Sequence, residues 1–423
     1  ILGIAVLIGI CVLLSTNRKA ISWRVVVFGL LFQLVLAIAV LKVPAIQHVI
    51  EFIAKVFIKI LDSSNAGSEF LFKSLVTNKV EVGLITFAFQ ILPTIIFFSA
   101  LTSVLFYYGI IQKVVFGMAW LLTKILKISG AEGLVASSNV FLGQTEAPFL
   151  IKEYLPKMNK SEIMLVMVAG MATMAGGVLA IYIGMLGGDD PVGKMIFAKH
   201  LITASVMAAP AAVVTAKILV PQTEPIVSDI KITKEVIGDN ILDAIAKGTI
   251  SGLKLAANVA AMLIAFIALI FFINFILGKI GGWTHLNDGI AAITGGTYTK
   301  FSLQFLLGYA LSPLTWLMGV NAHDMTLVGQ LLGEKIILNE MIGYASLKSM
   351  LINGAFYDQK SIILAVYVLC GFANFSSVGI QIGGISAIAP SQRKTLSELG
   401  FRALIGGGMT ALLSATLVAM ILG

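Results

Sequence analysis

The chain has 423 residues, of which 58% are hydrophobic and only 12% are charged. Because soluble domains carry roughly 25% charged residues, this composition excludes an ordinary soluble protein and predicts an integral membrane protein. The length accommodates about eight to ten spanning helices of roughly 20 residues each. The long apolar runs and the 41 glycines favour broken, closely packed helices over short alternating strands.

The formal net charge of +8 does not indicate nucleic-acid binding. The basic residues lie in short loops between apolar runs, where they determine topology. Arg18, Lys19 and Arg24 place the first loop in the cytoplasm and therefore the N-terminus outside. Cys11 and Cys370 lie in apolar runs and indicate neither a disulfide framework nor a metal site.

The first part of the chain predicts three spans and two interfacial helices. The spans are Ile1–Leu14, Trp23–Leu41 and Val82–Tyr107. Between the second and third spans, polar residues recur every four positions, which predicts an amphipathic helix on the outer surface over Ala45–Leu61. Lysines within Ile110–Ile128 predict a second interfacial helix, on the cytoplasmic side.

The next stretch, 133–155, places Asn139, Gln144, Thr145 and Glu146 between two apolar flanks. Basic residues stand on both sides of it, so both ends are predicted to be cytoplasmic. The stretch is too short to cross the membrane twice, and we expect a re-entrant hairpin. A span over 161–186, interrupted by a glycine-rich and polar run, and a span over 196–219 follow it.

The second part of the chain follows a similar plan after the polar loop Pro221–Lys234. A long helix is predicted over Val236–Leu277, followed by a polar outer segment over Trp283–Thr299. A second hairpin, at about 302–347, has arms flanking Gly319-Val-Asn-Ala-His-Asp324 and enters from outside. A broken span over 361–388 and a last span over 397–422 place the C-terminus outside.

The two parts form an internal repeat. Each has a hairpin with an intramembrane glutamate, followed by a broken span, and Gly170-Met-Ala-Thr-Met174 aligns with Gly371-Phe-Ala-Asn-Phe375. Because the hairpins enter from opposite sides, the repeats are inverted, a pattern typical of secondary transporters with a site near the bilayer midplane. We therefore predict scaffold helices with an external interfacial helix over 1–109, transport repeats over 110–220 and 281–423, and a long scaffold helix over 221–280.

The breaks offer oxygen ligands for a small hard cation. Asn139 and Leu142 in the first hairpin could supply them together with Thr173 and Met174 in the first broken span. Leu142 and Met174 would contribute backbone carbonyls only. The alternative is that Asn139 and Thr173 simply cap helix ends.

The side chains predicted to face a solute carry amides, hydroxyls and carboxylates: Gln144, Thr145, Glu146, Asn339, Glu340, Asn374, Ser376 and Ser377. The set lacks Arg and Lys, which argues against phosphates or carboxylates as cargo. Phe372 and Phe375 could stack on a planar ring or belong to the core. The four histidines are scattered and common catalytic motifs are missing, so we do not expect an enzyme. A proton relay through the two glutamates stays open.

Gly143-Gln-Thr-Glu-Ala-Pro148, Asn339-Glu340 and Gly371-Phe-Ala-Asn-Phe-Ser-Ser-Val-Gly-Ile-Gln-Ile382 resemble the signatures of the concentrative nucleoside transporters. The resemblance covers nearly the whole chain. It implies an all-α polytopic membrane protein with about eight transmembrane helices, two re-entrant hairpins and interfacial helices, assembled as a homotrimer. It also implies uptake of nucleosides such as uridine, cytidine or adenosine, driven by a sodium or proton gradient.

The resemblance further implies residue roles. Gln144, Thr145, Glu146 and Val178 would contact the base, whereas Glu340, Asn374 and Ser377 would hold the ribose and Phe372 would line the pocket. The sodium ion would bind at Asn139, Leu142, Thr173 and Met174. Thr173 stands where sodium-coupled relatives often have serine, and it keeps the hydroxyl.

We therefore expect a sodium-coupled nucleoside symporter of a bacterial inner membrane that works by movement of a transport domain. One alternative is a proton-coupled symporter that uses Glu146 or Glu340. Another, from a different class, is a polar-solute channel or a membrane enzyme.

Overall fold

The computed structural model describes residues 1–77, 92–188, 190–226 and 239–423, and these contain helices and no strand. The all-α polytopic fold predicted from composition is confirmed. By length and composition, four helices in the described residues could cross a membrane, or up to six if each bent pair counts as one span. The first broken span, Lys160–Gly187, is one of these four, whereas the two half-helices of the second broken span are each too short to meet the criterion alone.

The N-terminal helices are α1 (Leu2–Leu13), α2 (Trp23–Lys42) and α3 (Pro44–Thr77). α3 runs well beyond the predicted end at Leu61. The start of the predicted third span lies outside the described residues, and the rest forms α4 (Leu92–Tyr107). At Gly109, with φ +71°, the chain bends by 76° into α5 (Ile110–Leu126), so the predicted interfacial helix leaves the axis of the preceding helix.

The first hairpin has one regular arm. α6 (Gly130–Ser138) starts at a capping box in which Ser129 and Glu132 satisfy each other's backbone N–H groups. The return arm consists of two short 3₁₀ helices, Ala147–Ile151 and Leu155–Lys157, each with a proline in its first turn. Proline lacks the N–H of a continuous helix, which explains why this arm is irregular.

Both predicted broken spans are present. The first consists of α7 (Lys160–Ala172) and α8 (Gly176–Gly187), and the second of α15 (Gln359–Leu369) and α16 (Phe375–Ile388). The breaks fall at 173–175 and 370–374, within the polar runs that the sequence singled out. Each break leaves free carbonyls at one half-helix end and free N–H groups at the other.

The second hairpin differs from the predicted range of 302–347. The chain reverses twice, and the helices are α12 (Leu303–Leu317), α13 (Met325–Ile337) and α14 (Glu340–Ile352). The reversal that carries Glu340 lies at 338–339, because the Asn339 side chain accepts a hydrogen bond from the Ile342 N–H (3.0 Å) and starts a new helix. Arms of 13 residues are about 20 Å long, shorter than a bilayer core of roughly 30 Å, as a re-entrant hairpin requires.

The remaining helices are α9 (Pro191–Leu219), α10 (Ile241–Trp283), α11 (Leu286–Ile293) and α17 (Arg393–Leu422). The long helix α10 therefore starts and ends later than predicted. Most residues of α7, α9 and α17 are buried, and the Thr215 and Thr410 hydroxyls bond across α9 and α17 (2.8 Å). In contrast, α10 exposes large apolar side chains, including Ile264 (74%) and Phe271 (77%).

Candidate substrate and ion site

A cavity of about 340 Å³ lies where the two hairpin tips meet the two broken spans. The cavity is lined by all eight residues that the family resemblance implies as nucleoside contacts: Gln144, Thr145, Glu146, Val178, Glu340, Phe372, Asn374 and Ser377. Asn339 and Ser376 of the predicted solute-facing set line it as well. Residues from sequence positions more than 230 apart thus share one wall. The described lining residues include no Arg or Lys, so the cavity presents neutral hydrogen-bonding groups and two carboxyl groups.

Glu340 is the buried acidic group on one side of the cavity. The Tyr182 hydroxyl donates a hydrogen bond to one of its carboxylate oxygens (3.2 Å), and the Asn374 side-chain amide donates to the other (2.9 Å). As the first residue of α14, Glu340 also lies at the positive end of a helix dipole. The carboxylate is therefore held in place and keeps lone pairs for further donors.

Asn374 links this carboxylate to the second break. It is the N-cap of α16, and its side-chain oxygen accepts a hydrogen bond from the Ser377 N–H (2.8 Å). Its amide nitrogen reaches Glu340 at the same time. The break in the second span thereby fixes the relative positions of three predicted ribose ligands.

Gln144 forms the opposite polar edge of the cavity. Its amide nitrogen donates to the Ser377 hydroxyl (3.2 Å), and its amide oxygen accepts from the Gln381 amide (3.1 Å). Gln381 also donates to the Met167 carbonyl (3.1 Å), so the side chain of the second broken span that holds Gln144 is itself bonded to the first broken span. The orientation of the Gln144 amide is set by these partners.

Two residues that the sequence did not single out complete the site. Tyr182 lies one helical turn after Val178 in an apolar helix, and it stacks on Tyr344 with ring centroids 4.0 Å apart. In the sequence, the one signal for Tyr182 is its spacing of four residues from Val178, which places both on the same face of α8. Gln381 belongs to the family-like motif, but its contact with Gln144 depends on the tertiary fold.

The two candidate aromatic residues differ in position. Phe372 lines the cavity, whereas Phe375 is 52% exposed and packs against Phe401, with ring centroids 6.5 Å apart. Phe375 is the first residue of α16, so its side chain leaves the break on the other face. Phe372 alone of the pair is in a position to contact a ring in the cavity.

Glu146 lies between this cavity and a second one. Its carboxylate accepts a hydrogen bond from the Gly143 N–H (3.2 Å), which closes the hairpin tip on itself. The second cavity, of about 290 Å³, lies between the first hairpin and the helices α4 and α10. Ser99, Ser251 and Lys247 contribute polar groups to that cavity from the α4 and α10 side.

The four residues predicted to bind a cation are all buried, Thr173 and Met174 in the first break and Asn139 and Leu142 in the first hairpin. The Asn139 amide nitrogen donates to the Val135 carbonyl (2.9 Å), and the Thr173 hydroxyl donates to the Ala169 carbonyl (2.9 Å). Both residues therefore cap helix ends, as the alternative interpretation expected. However, the buried Asn139 side-chain oxygen has no hydrogen-bond partner among the described residues. Capping leaves this acceptor unexplained, and it fits a hard cation.

The hairpin tip and the first break are in direct contact. The Gly176 N–H at the start of α8 donates to the Phe141 carbonyl (3.1 Å) in the hairpin tip. Leu142 and Met174 are both buried next to this contact. The chemistry of the donor set, an amide oxygen with a hydroxyl and backbone carbonyls nearby, suits sodium.

The two breaks also touch each other. Gly371 has φ +87°, which favours glycine, and a Cβ there would lie 2.5 Å from the Ala172 carbonyl oxygen at the end of α7. The second break is thus packed onto the carbonyl end of the first half-helix. This close approach brings the candidate cation site and the candidate solute site together.

Comparison with known families gives three matching models. They are described as Na+ dependent nucleoside transporter C-terminus (residues 200–419), Na+ dependent nucleoside transporter N-terminus (residues 2–75) and Nucleoside recognition (residues 88–189). Together they cover most of the chain, including both hairpins and both broken spans.

Similar curated proteins include an uncharacterized transporter of Haemophilus influenzae, 40% identical over all of this chain and 97% of that protein. The putative nucleoside permease NupX of Escherichia coli is 36% identical over all of this chain and 98% of that protein. Sodium/nucleoside cotransporter 1 of Rattus norvegicus is 37% identical over 96% of this chain, which spans 62% of that longer protein.

Among solved structures, CNTnw in an inward-facing substrate-bound state superimposes with a TM-score of 0.88 at 38% identity. The match covers 99% of this chain and 96% of CNTnw. An intermediate state of a CNTnw variant gives a TM-score of 0.89 at 37% identity.

Gly170→Ala tests whether the Gln144–Gln381 contact shapes the cavity. An added Cβ would lie 2.5 Å from the Gln381 amide nitrogen and 3.0 Å from the Gln144 Cβ, so both side chains must move. We expect nucleoside binding to weaken about tenfold or more, equivalent to about 1.4 kcal/mol. Scintillation proximity binding with purified protein measures this effect.

Gly379→Ala is the matched control, because a Cβ at this exposed position of α16 meets nothing within 4 Å. It should bind nucleosides like the unchanged protein. Equal binding by both variants would show that the Gln144–Gln381 geometry is unimportant.

Proposed function

Because the chain belongs to the family of Na+-dependent nucleoside transporters, we propose that it is a symporter that couples inward sodium flow to nucleoside uptake. The members of this family are transporters and not enzymes. The observation that carries the proposal is that the candidate solute site and the candidate cation site both involve the first hairpin, which contacts the first break. A cavity lined by amides, hydroxyls and carboxyl groups lies at the tip of the first hairpin, and the buried Asn139 side-chain oxygen of the same hairpin has no hydrogen-bond partner in the part of the chain that the structure describes.

The nucleoside is proposed to bind with its base toward the first hairpin and its ribose toward the second. Gln144, Thr145 and Glu146, with Val178 beside them, offer the mixture of donors and acceptors that a base edge requires. Glu340 supports the ribose assignment, because an ionised carboxylate is an acceptor for the two hydroxyls of a diol. Asn374 and Ser377 add polar contacts, and Phe372 covers an apolar face of the ligand.

Sodium is proposed to bind to the oxygens of Asn139, Leu142, Thr173 and Met174. These residues belong to the first hairpin and the first break, which touch at Phe141 and Gly176. An ion held between them would hold the hairpin tip, including Gln144 and Glu146, against the broken span. Sodium binding would therefore strengthen nucleoside binding without contacting the nucleoside, and the coupling would be reciprocal.

Transport is proposed to occur by alternating access, in which the hairpins and broken spans move together past the scaffold. The second cavity supports this, since it lies between the first hairpin and the helices α4 and α10. The exposed apolar face of α10 fits lipid or further copies of the chain, and we propose a homotrimer built on this scaffold. We further propose a bacterial inner-membrane location with both termini outside.

Uptake of labelled uridine into proteoliposomes tests the coupling. With an inward sodium gradient at equal pH, we expect accumulation against the uridine gradient, because sodium and nucleoside bind on the same moving unit. An inward proton gradient without sodium should give no accumulation. Accumulation with protons alone would replace sodium coupling by proton coupling through Glu146 or Glu340. Equilibration without accumulation would indicate a channel, and recovery of modified uridine would indicate an enzyme.

Glu340→Gln tests the ribose site. Glutamine keeps the size but loses one acceptor and the charge, and a hydrogen bond to a charged group contributes about 1.5–3 kcal/mol. We expect uridine affinity to fall by about 10-fold to 150-fold in a binding assay with folded protein. The exposed Glu153 in the first hairpin region provides the control Glu153→Gln. Unchanged affinity of the Glu340 variant would remove this residue from the ribose site.

A further inference from the structure

Lys335 is a fully buried lysine in the second hairpin, with 0% of its surface exposed. It lies near the end of α13, and its ammonium donates hydrogen bonds to the carbonyls of Val368 (3.0 Å) and Cys370 (2.6 Å). These carbonyls belong to the last turn of α15 and to its C-cap. The lysine therefore occupies the carbonyl end of the half-helix that precedes the second break.

A buried ammonium is costly unless partners compensate its charge. Two partners are present here. The C-terminal end of α15 carries the partial negative charge of a helix dipole and carbonyls without helical partners. The second is the buried carboxylate of Glu340, which begins the next helix of the same hairpin. Lys335 bonds to Cys370 and Glu340 bonds to Asn374, so both charged groups are held by the same short break at 370–374.

The first break is built differently. There the Thr173 hydroxyl stands at the end of α7, and the first hairpin, which contacts the break at Phe141, carries the Asn139 amide oxygen. The two inverted halves thus each have a half-helix whose carbonyl end faces its hairpin. In the second half, the hairpin itself supplies a cation to that end.

We propose that Lys335 is a positioning residue that acts as a tethered counter-cation at the second break. Its ammonium joins the second hairpin to the end of α15 and balances the Glu340 carboxylate, so this half of the site is assembled before any dissolved ion binds. The assignment of Glu340 as a nucleoside ligand rests on the proposed function. The charge balance between Lys335 and Glu340 does not.

A stability cycle on the full-length purified protein, without nucleoside, tests the proposal. Lys335→Met keeps the length and removes the charge, which leaves the negative charge of Glu340 without a counter-cation and the Val368 and Cys370 carbonyls without their lysine donor. We expect Tm to fall by about 5 °C or more. In Lys335→Met/Glu340→Gln, the uncompensated carboxylate is gone, and Tm should recover part of this loss. Lys348→Met, a half-buried lysine of the same hairpin, is the control and should leave Tm nearly unchanged.

A packing role for Lys335 predicts the opposite order, with the double variant as unstable as Lys335→Met or less stable. That order, or an unchanged Tm for Lys335→Met, would overturn the proposal. If Lys335→Met yields no folded protein, Lys335→Gln with and without Glu340→Gln gives the same comparison. Failure of both double variants to fold would also contradict charge balance. The cycle measures Tm and requires no transport. The charge-balance proposal can therefore fail while nucleoside symport is confirmed, and symport can fail while the charge balance is confirmed.

Discussion

The free backbone groups at the two broken spans are the constraint on which the rest of this structure depends. A hydrocarbon environment offers no partners for them, so the protein must supply every one. The hairpin tips do this in part: the Phe141 carbonyl accepts from the Gly176 N–H, and Lys335 donates to Val368 and Cys370. Hairpins and breaks are therefore assembled in pairs. Four irregular segments, far apart in the chain, are forced into one place.

The hairpins and the breaks bond to each other's backbone groups. The candidate site consists of the polar groups that still have lone pairs free to bind a ligand. The Glu340 carboxylate receives bonds from Tyr182 and Asn374 but retains lone pairs, and the Asn139 side-chain oxygen accepts no hydrogen bond from the residues that the structure describes. The first group faces a cavity large enough for a small solute, and the second lies in the hairpin that contacts the first break. Solute and ion would thus bind to parts of the same irregular framework, which is what coupled transport requires.

Much of this framework could be predicted from the sequence, because membrane depth makes polar residues conspicuous. Thr173 and Asn374 stand in polar runs within apolar spans, and the structure breaks both spans there. The eight solute-facing residues line one cavity, although their roles stay a prediction. The second hairpin was harder, since Gly319 is as plausible a turn signal as Asn339. The capping bond from Ile342 to Asn339 settles which turn carries Glu340.

Other residues could not be predicted because their roles arise only from tertiary contacts. Tyr182 looks like an ordinary member of an apolar helix until it meets Glu340 from the other repeat. The burial of Lys335 is explained by the carbonyls of Val368 and Cys370, which lie over 30 residues later in the chain. Sequence periodicity describes which face of a helix is polar, but not which distant backbone groups need a donor.

The central claim is that sodium at the first break strengthens nucleoside binding through the first hairpin. Titration of uridine binding at several sodium concentrations, with choline as replacement, tests it most directly in the unchanged protein and in Asn139→Ala. The account predicts that uridine affinity rises with sodium in the unchanged protein. In the variant, affinity should lose its sodium dependence and remain near the sodium-free value. Sodium dependence that persists unchanged in Asn139→Ala, or that is missing from the unchanged protein, would contradict the account.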